Sequence, residues 1–164
     1  MLKIKRRILL IAILGWMALI YGFSSQNGET SGGLSENITK FMIHIAIPNY
    51  EKLGKVEQEN LFDNLHYCVR KAAHFTEYAI LGILIILFLM TYSFPVRQSI
   101  VITCCICLLY AATDEWHQGF INGRSPSLKD VTIDTFGAVA GVVFTRILMR
   151  LRLRIKKKLG NGVS

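Results

Sequence analysis

Four long apolar runs, at residues 8–23, 72–94, 100–113 and 131–149, leave this chain few ways to fold in water. A helix of about 20 apolar residues crosses the roughly 30 Å hydrocarbon core of a bilayer, so each run is a candidate span. The charges sort along them. With both ends placed on one side, that side holds Lys3, Lys5, Arg6, Arg7, Arg97 and the basic residues of 146–158, twelve in all, and no acid. All 11 Asp and Glu then fall on the other side or at its membrane edge. Lys and Arg in short segments beside spans mark the cytoplasmic side. The pattern predicts cytoplasmic termini and an outward-facing set of polar motifs.

The expected fold is all-α: a polytopic membrane bundle of about four transmembrane helices with an external amphipathic helical segment. The spans are expected near 8–23, 72–94, 98–118 and 131–149, the external segment over 27–70 and a basic cytoplasmic tail over 150–164. At 164 residues, 52% hydrophobic, the chain is a single domain. The net charge of +8 suggests nucleic acid until it is mapped onto the spans. Most of the excess lies at the two cytoplasmic ends, where it meets anionic lipid at roughly 1 kcal/mol per residue. Nucleic acid is therefore not an expected partner, and membrane lipid is. The basic start and apolar run of the N-terminus resemble a signal peptide. The run ends in Tyr21-Gly22-Phe23-Ser24-Ser25-Gln26 with no Ala-x-Ala-like site, so it reads as a retained span. Cys104, Cys105 and Cys107 lie in the third run and read as small buried hydrophobes. Cys68 falls outside, with no evident partner.

Beyond the first span, 27–33 read as a flexible patch. Leu34, Ile38, Phe41, Met42 and Ile45 then recur at helical spacing until Pro48. That amphipathic helix is expected to cover the polar site as a lid. A second pattern, Leu61, Phe62, Leu65 and Val69, leads into the second span. In the fourth span Gly137 and Gly141 form a small-xxx-small pair that lets another helix approach closely.

The polar residues concentrate at the outer span ends. At 100° per residue Lys71, His74 and Tyr78 share a face, with Glu77 at its edge. The third span ends with Tyr110, Asp114 and His117 on one face and Glu115 and Gln118 beside it. Asp130 and Asp134 stand one turn apart on the glycine face of the fourth span. Ionisable residues inside spans usually face the bundle interior and mark function. His74, Glu77, Asp114, Glu115, His117, Asp130 and Asp134 are thus candidate acid, base or orienting groups. Arg124, Ser25, Gln26, Lys71, Tyr78 and Gln118 are candidate ligand contacts, Arg124 as a fork for an anionic group. A structural polar network is the competing reading, with Arg124 closing a loop ion pair. No cofactor is identified. The His and carboxylate set also suits a divalent metal, although no spacing matches a defined metal motif.

Three pieces of the chain together resemble the VanZ-like family of bacterial membrane proteins. They are Phe23-Ser24-Ser25-Gln26; Lys71-x-x-His74-Phe75-x-Glu77-Tyr78 with Leu81-Gly82; and Asp114-Glu115-x-His117-Gln118 followed by Gly123-Arg124, Asp130, Asp134-Thr135-x-Gly137 and Gly141. The resemblance covers residue 8 to about 150 and implies a four- or five-helix membrane protein. It also implies either Asn or Asp at position 134, which denies Asp134 a role that only an ionised group can fill. The family is named for a protein that lowers susceptibility to the glycopeptide teicoplanin. This implies work at the outer face of the bacterial cytoplasmic membrane, with a lipid-linked cell-wall precursor or a lipoglycopeptide as the expected partner beside membrane lipid. It does not imply a reaction. An enzyme and a non-enzymatic binder both remain open. A proton or solute transporter fits less well, because paired broken helices and an inverted repeat are missing from the sequence.

The charge pattern makes a direct prediction. A reporter fused after Lys158 is active only as a cytoplasmic reporter, and labelling of a tag there by an external reagent would overturn the topology.

Overall fold

The computed structural model describes residues 1–25, 28–121 and 126–160, with 28–32, 34, 159 and 160 described by their backbone alone. Five α-helices make up the fold, with no strand among the described residues: α1 (Leu2–Ser24), α2 (Gly28–Ala46), α3 (Lys55–Leu89), α4 (Val96–Gln118) and α5 (Leu128–Gly160). All but α2 are long and apolar enough to cross a membrane.

Helix α3 is the axis of the bundle and touches each of the other four. Its closest neighbour is α5. A Cβ added to Gly137 would run into the backbone carbonyl of Phe75, one added to Gly141 into that of Ala79, and one added to Gly82 into that of Ala138. Residues 137 and 141 thus advance in step with 75 and 79, so α3 and α5 run parallel. Small residues let two backbones meet where hydrophobic exclusion cannot drive helices together, since the surrounding lipid is as apolar as leucine. Around this seam Ile13 and Ile20 of α1, Tyr78, Leu81 and Ile85 of α3, and Cys107 and Ala111 of α4 form the core.

Side-chain hydrogen bonds to main-chain carbonyls fasten α1. Trp16 Nε1 donates to Glu77 O at 2.9 Å, and Tyr110 Oη donates to Met17 O at 2.6 Å. At the far end Arg6 donates to Thr91 O at 2.6 Å and to Thr91 Oγ1 at 3.2 Å. Its guanidinium lies 3.8 Å from the centroid of the Tyr92 ring, a cation–π contact. Arg6 thus clasps the start of α1 to the turn between α3 and α4, which Pro95 closes as it leads into α4. Residues 3–7, Arg97 and the basic half of α5 therefore gather at one end of the bundle. The polar motifs gather at the other.

The helices outrun the expected spans. Backbone helix begins at Gly28, inside the patch expected to be flexible. The basic segment expected as a tail continues α5 to Gly160; Arg, Lys and Leu are strong helix formers and extend an existing helix at little cost. Helix α3 has 35 residues, which at 1.5 Å each is about 52 Å, well beyond the roughly 30 Å core. Its first half is stabilised by α2. Ser35 Oγ lies 2.8 Å from His66 Nε2, and Thr39 and Ile43 are buried. Helix α2 therefore packs along α3 as a hairpin partner. The expected lid over the polar motifs gives way to this arrangement because α2 finds its apolar partner face on α3.

The α3–α5 seam predicts a specific sensitivity. Gly141→Leu is expected to lower the unfolding midpoint of the purified protein sharply. Overpacking a filled core costs about 1–3 kcal/mol, and here the obstacle is backbone, which cannot rotate away. Val143→Leu, on the exposed side of the same helix, is expected to leave the midpoint unchanged.

Candidate functional site

At the end opposite the Arg6 clasp, α3, α4 and α5 bring their polar residues to one level. Each helix contributes through its own periodicity. On α3, Lys71 and Tyr78 fall two turns apart on the side facing α5 and α4. Lys71 Nζ makes a direct ion pair with Asp130 Oδ1, both side chains about one-fifth exposed. Deeper in, Tyr78 is wholly buried, its ring 6.1 Å from that of Tyr110. His74 Nδ1 lies 3.8 Å from Glu77 Oε2, within ion-pair range when the imidazole is protonated.

Helix α4 supplies Asp114, Glu115 and Gln118, all buried. Gln118 Nε2 donates to Asp114 Oδ2 at 3.1 Å. Glu115 Oε2 accepts the Ser127 N–H at 2.8 Å, tying the end of α4 to the start of α5. Glu115 is also within electrostatic reach of Asp130, Asp114 and Lys71.

Asp134 of α5 is the centre of the set. It is 1% exposed, and neither carboxyl oxygen has a hydrogen-bond partner among the described residues. Asp114, Glu115, Asp130 and Glu77 all lie within its electrostatic reach. The Tyr78 hydroxyl is likewise unpartnered among the described residues and is within reach of both Asp114 and Asp134. Leaving a buried polar group unsatisfied costs about 1–3 kcal/mol, more when it is ionised. Both groups face the same cluster.

The candidates thus divide. Lys71, Glu77, Tyr78, Asp114, Glu115, Asp130 and Asp134 are brought together, with Gln118 bonded to Asp114 and His74 beside Glu77. His117 turns toward α1. Its Nε2 is 3.2 Å from Ser25 Oγ, and its ring stacks on Tyr21 at 4.6 Å between centroids. His117 and Ser25 therefore form a flank of the cluster between α1 and α4. Gln26 and Arg124 lie outside the described residues, as does Gly123. Among the described residues no three His, Cys, Asp or Glu side chains are grouped closely enough to hold a metal ion.

Sequence reasoning quoted Ser24 only within a motif, not as a site residue, and passed over Trp16 and Ser127. Ser24 is 1% exposed and its hydroxyl has no partner among the described residues. Its spacing from the buried Ile13 and Ile20, eleven and four residues, marks it as belonging to the inner face of α1. Trp16 and Ser127 make bonds that only the assembled helices reveal.

Fold and site together define a small multi-pass helical membrane protein with a cluster of ionisable side chains at one membrane level. The VanZ/LLP1 family model matches residues 9–149, and the chain belongs to that family. No curated protein and no solved structure matches the chain.

The Lys71–Asp130 pair separates support from function. Lys71→Met and Asp130→Leu, made singly, are each expected to lower the unfolding midpoint, because each strands a half-buried charge. The double replacement is expected to recover most of the loss in stability. A double variant no more stable than the singles would mean that the pair has no such coupling.

Proposed function

We propose that the protein works at the outer face of the bacterial cytoplasmic membrane, where the cluster binds or modifies the polar part of a membrane-lipid or cell-wall component. The observation that carries this reading is Asp134, a buried carboxyl with both oxygens unpartnered among the described residues, next to the unpartnered hydroxyl of Tyr78. Buried polar atoms without a protein partner at the end of a bundle are suited to bond an incoming group. The charge pattern supports an outward orientation, since the basic end opposite the cluster has the signature of the cytoplasmic side. Family membership supports an envelope role and a link to glycopeptide susceptibility.

In this reading Lys71 and Arg124 meet an anionic headgroup, Gln118 and Ser25 add hydrogen bonds, and Tyr78 with Asp134 forms the floor. Where the bound group is also altered, the His74–Glu77 pair supplies the proton transfer, with the carboxylate orienting the imidazole. His117, held by Ser25 and Tyr21, is the second base. No step in this reading depends on a divalent cation. The partner is a lipid-linked cell-wall precursor or a lipoglycopeptide that competes for the same place. Lowered susceptibility to teicoplanin is the expected consequence for a cell that makes the protein.

Glu115→Gln and His117→Gln test this directly. Both keep size and some hydrogen bonding while removing charge or basicity. Each variant is expected to reach the membrane at wild-type levels, to lose the protein's effect in a teicoplanin susceptibility assay, and to lose any difference in envelope lipids seen by mass spectrometry between cells with and without the protein. Full activity in both variants would eliminate acid–base roles at these positions.

A further inference from the structure

On the other side of α3 from the polar cluster lies a groove of about 630 Å³. It is walled by α1, α2 and α3 and is almost wholly apolar. Trp16 and Ile80 close its lower end; Ile38, Met42 and Leu65 form its upper walls; the small side chains of Ala72, Ala73 and Thr76 leave its floor open. The volume falls in the roughly 300–1,000 Å³ range of small-molecule sites. From Ile80 to Leu65 the groove follows α3 for 15 residues, or about 22 Å, longer than the roughly 15 Å of a single hydrocarbon leaflet.

Two further facts indicate what fills it. First, its upper third, with Ile38, Met42, Leu65 and Cys68, lies beyond the level of Lys71, where the apolar part of α3 gives way to charged residues. Ile38 and Met42 remain more than two-fifths exposed there, an arrangement that water disfavours and hydrocarbon would satisfy. Second, the carboxylate among its lining residues, Glu77, belongs to both sites. Glu77 lines the groove, sits 3.8 Å from His74 Nδ1, and lies within electrostatic reach of Asp134. The groove and the polar cluster therefore meet at one residue.

We infer that the groove holds a single hydrocarbon chain of a membrane amphiphile, with the chain running along α3 under α2 and the headgroup directed past Glu77 to the cluster. This rests on the proposed role at an envelope amphiphile and gives its bound form a shape: one apolar chain drawn partly out of the leaflet, with the polar group at the cluster. Trp16 sets the depth, since its bond to the Glu77 carbonyl closes the lower end where α1 meets α3.

The test uses the full chain in phosphatidylglycerol vesicles doped with phosphatidylglycerol that carries a photoactivatable diazirine in one chain. Crosslinks are mapped by peptide mass spectrometry. Strong labelling is expected at 38–42 and 65–69, positions above the leaflet that a bulk lipid chain does not reach, compared with Phe136 and Phe144 on the exposed face of α5. Ala73→Trp, which fills the floor, is expected to reduce the groove labelling several-fold while leaving the α5 labelling intact; Val143→Trp is expected to change neither. Labelling confined to bilayer-facing positions, or groove labelling unaffected by Ala73→Trp, would overturn the inference. If Ala73→Trp accumulates poorly, the native Cys68 thiol on the groove wall replaces it as reporter. Its reaction with a water-soluble maleimide should slow several-fold when phosphatidylglycerol is added to the detergent-purified protein, and an unchanged rate would reject an occupied groove. Groove occupancy is read by the crosslinks and the polar site by the susceptibility of the Glu115→Gln strain, so failure of the polar site and failure of the groove are read separately.

Discussion

Everything at the polar end depends on the contact between the backbones of α3 and α5. Gly82, Gly137 and Gly141 remove the side chains that would hold these helices apart, and only then do Lys71 and Asp130 come within reach of each other. The same approach buries Tyr78 and Asp134 side by side. In a bilayer the usual force between helices is absent, so packing of this kind must supply the attraction through dispersion and close fit. The polar cluster is thus a by-product of steric permission. Three missing methyl groups decide which carboxyls share a space.

Within that space the balance of charge is uneven. Glu77, Asp114, Glu115, Asp130 and Asp134 stand near one another, and Lys71 is the lysine or arginine that pairs directly with them among the described residues. Such a cluster is costly to assemble, since each like-charged neighbour raises the free energy of the others in a poorly polarisable surrounding. Two of its members are partly compensated by hydrogen bonds, Glu115 from the Ser127 amide and Asp114 from Gln118. Asp134 has no such help among the described residues. Asp134 therefore sits on the inner face as the carboxyl of the cluster with least compensation among the described residues.

The spans, the grouping of the basic segments at one end and the grouping of the polar motifs at the other were legible in the sequence because they follow from periodicity and charge alone. The glycine face of α5 was legible too, down to its alignment with Asp130 and Asp134. What periodicity does not carry is the partner. Nothing in the spacing of His117 says that it will stack on Tyr21 instead of joining His74, because that depends on where α1 lies. The direction of α2 was hidden for the same reason. Its apolar face could be read, but whether that face would meet the polar end or the upper half of α3 depended on Ser35 finding a place beside His66. Residues 122–125, with Arg124 among them, carry a motif that the sequence displays and the described structure leaves outside.

Helix α3 has no glycine or proline between Lys55 and Tyr78 and no break in its hydrogen bonding from the hairpin with α2 to the level of the cluster. Among the described residues, α3 therefore offers no glycine or proline hinge between the segment that packs on α2 and the turns that carry His74, Glu77 and Tyr78. The outer hairpin and the polar end share one uninterrupted helix.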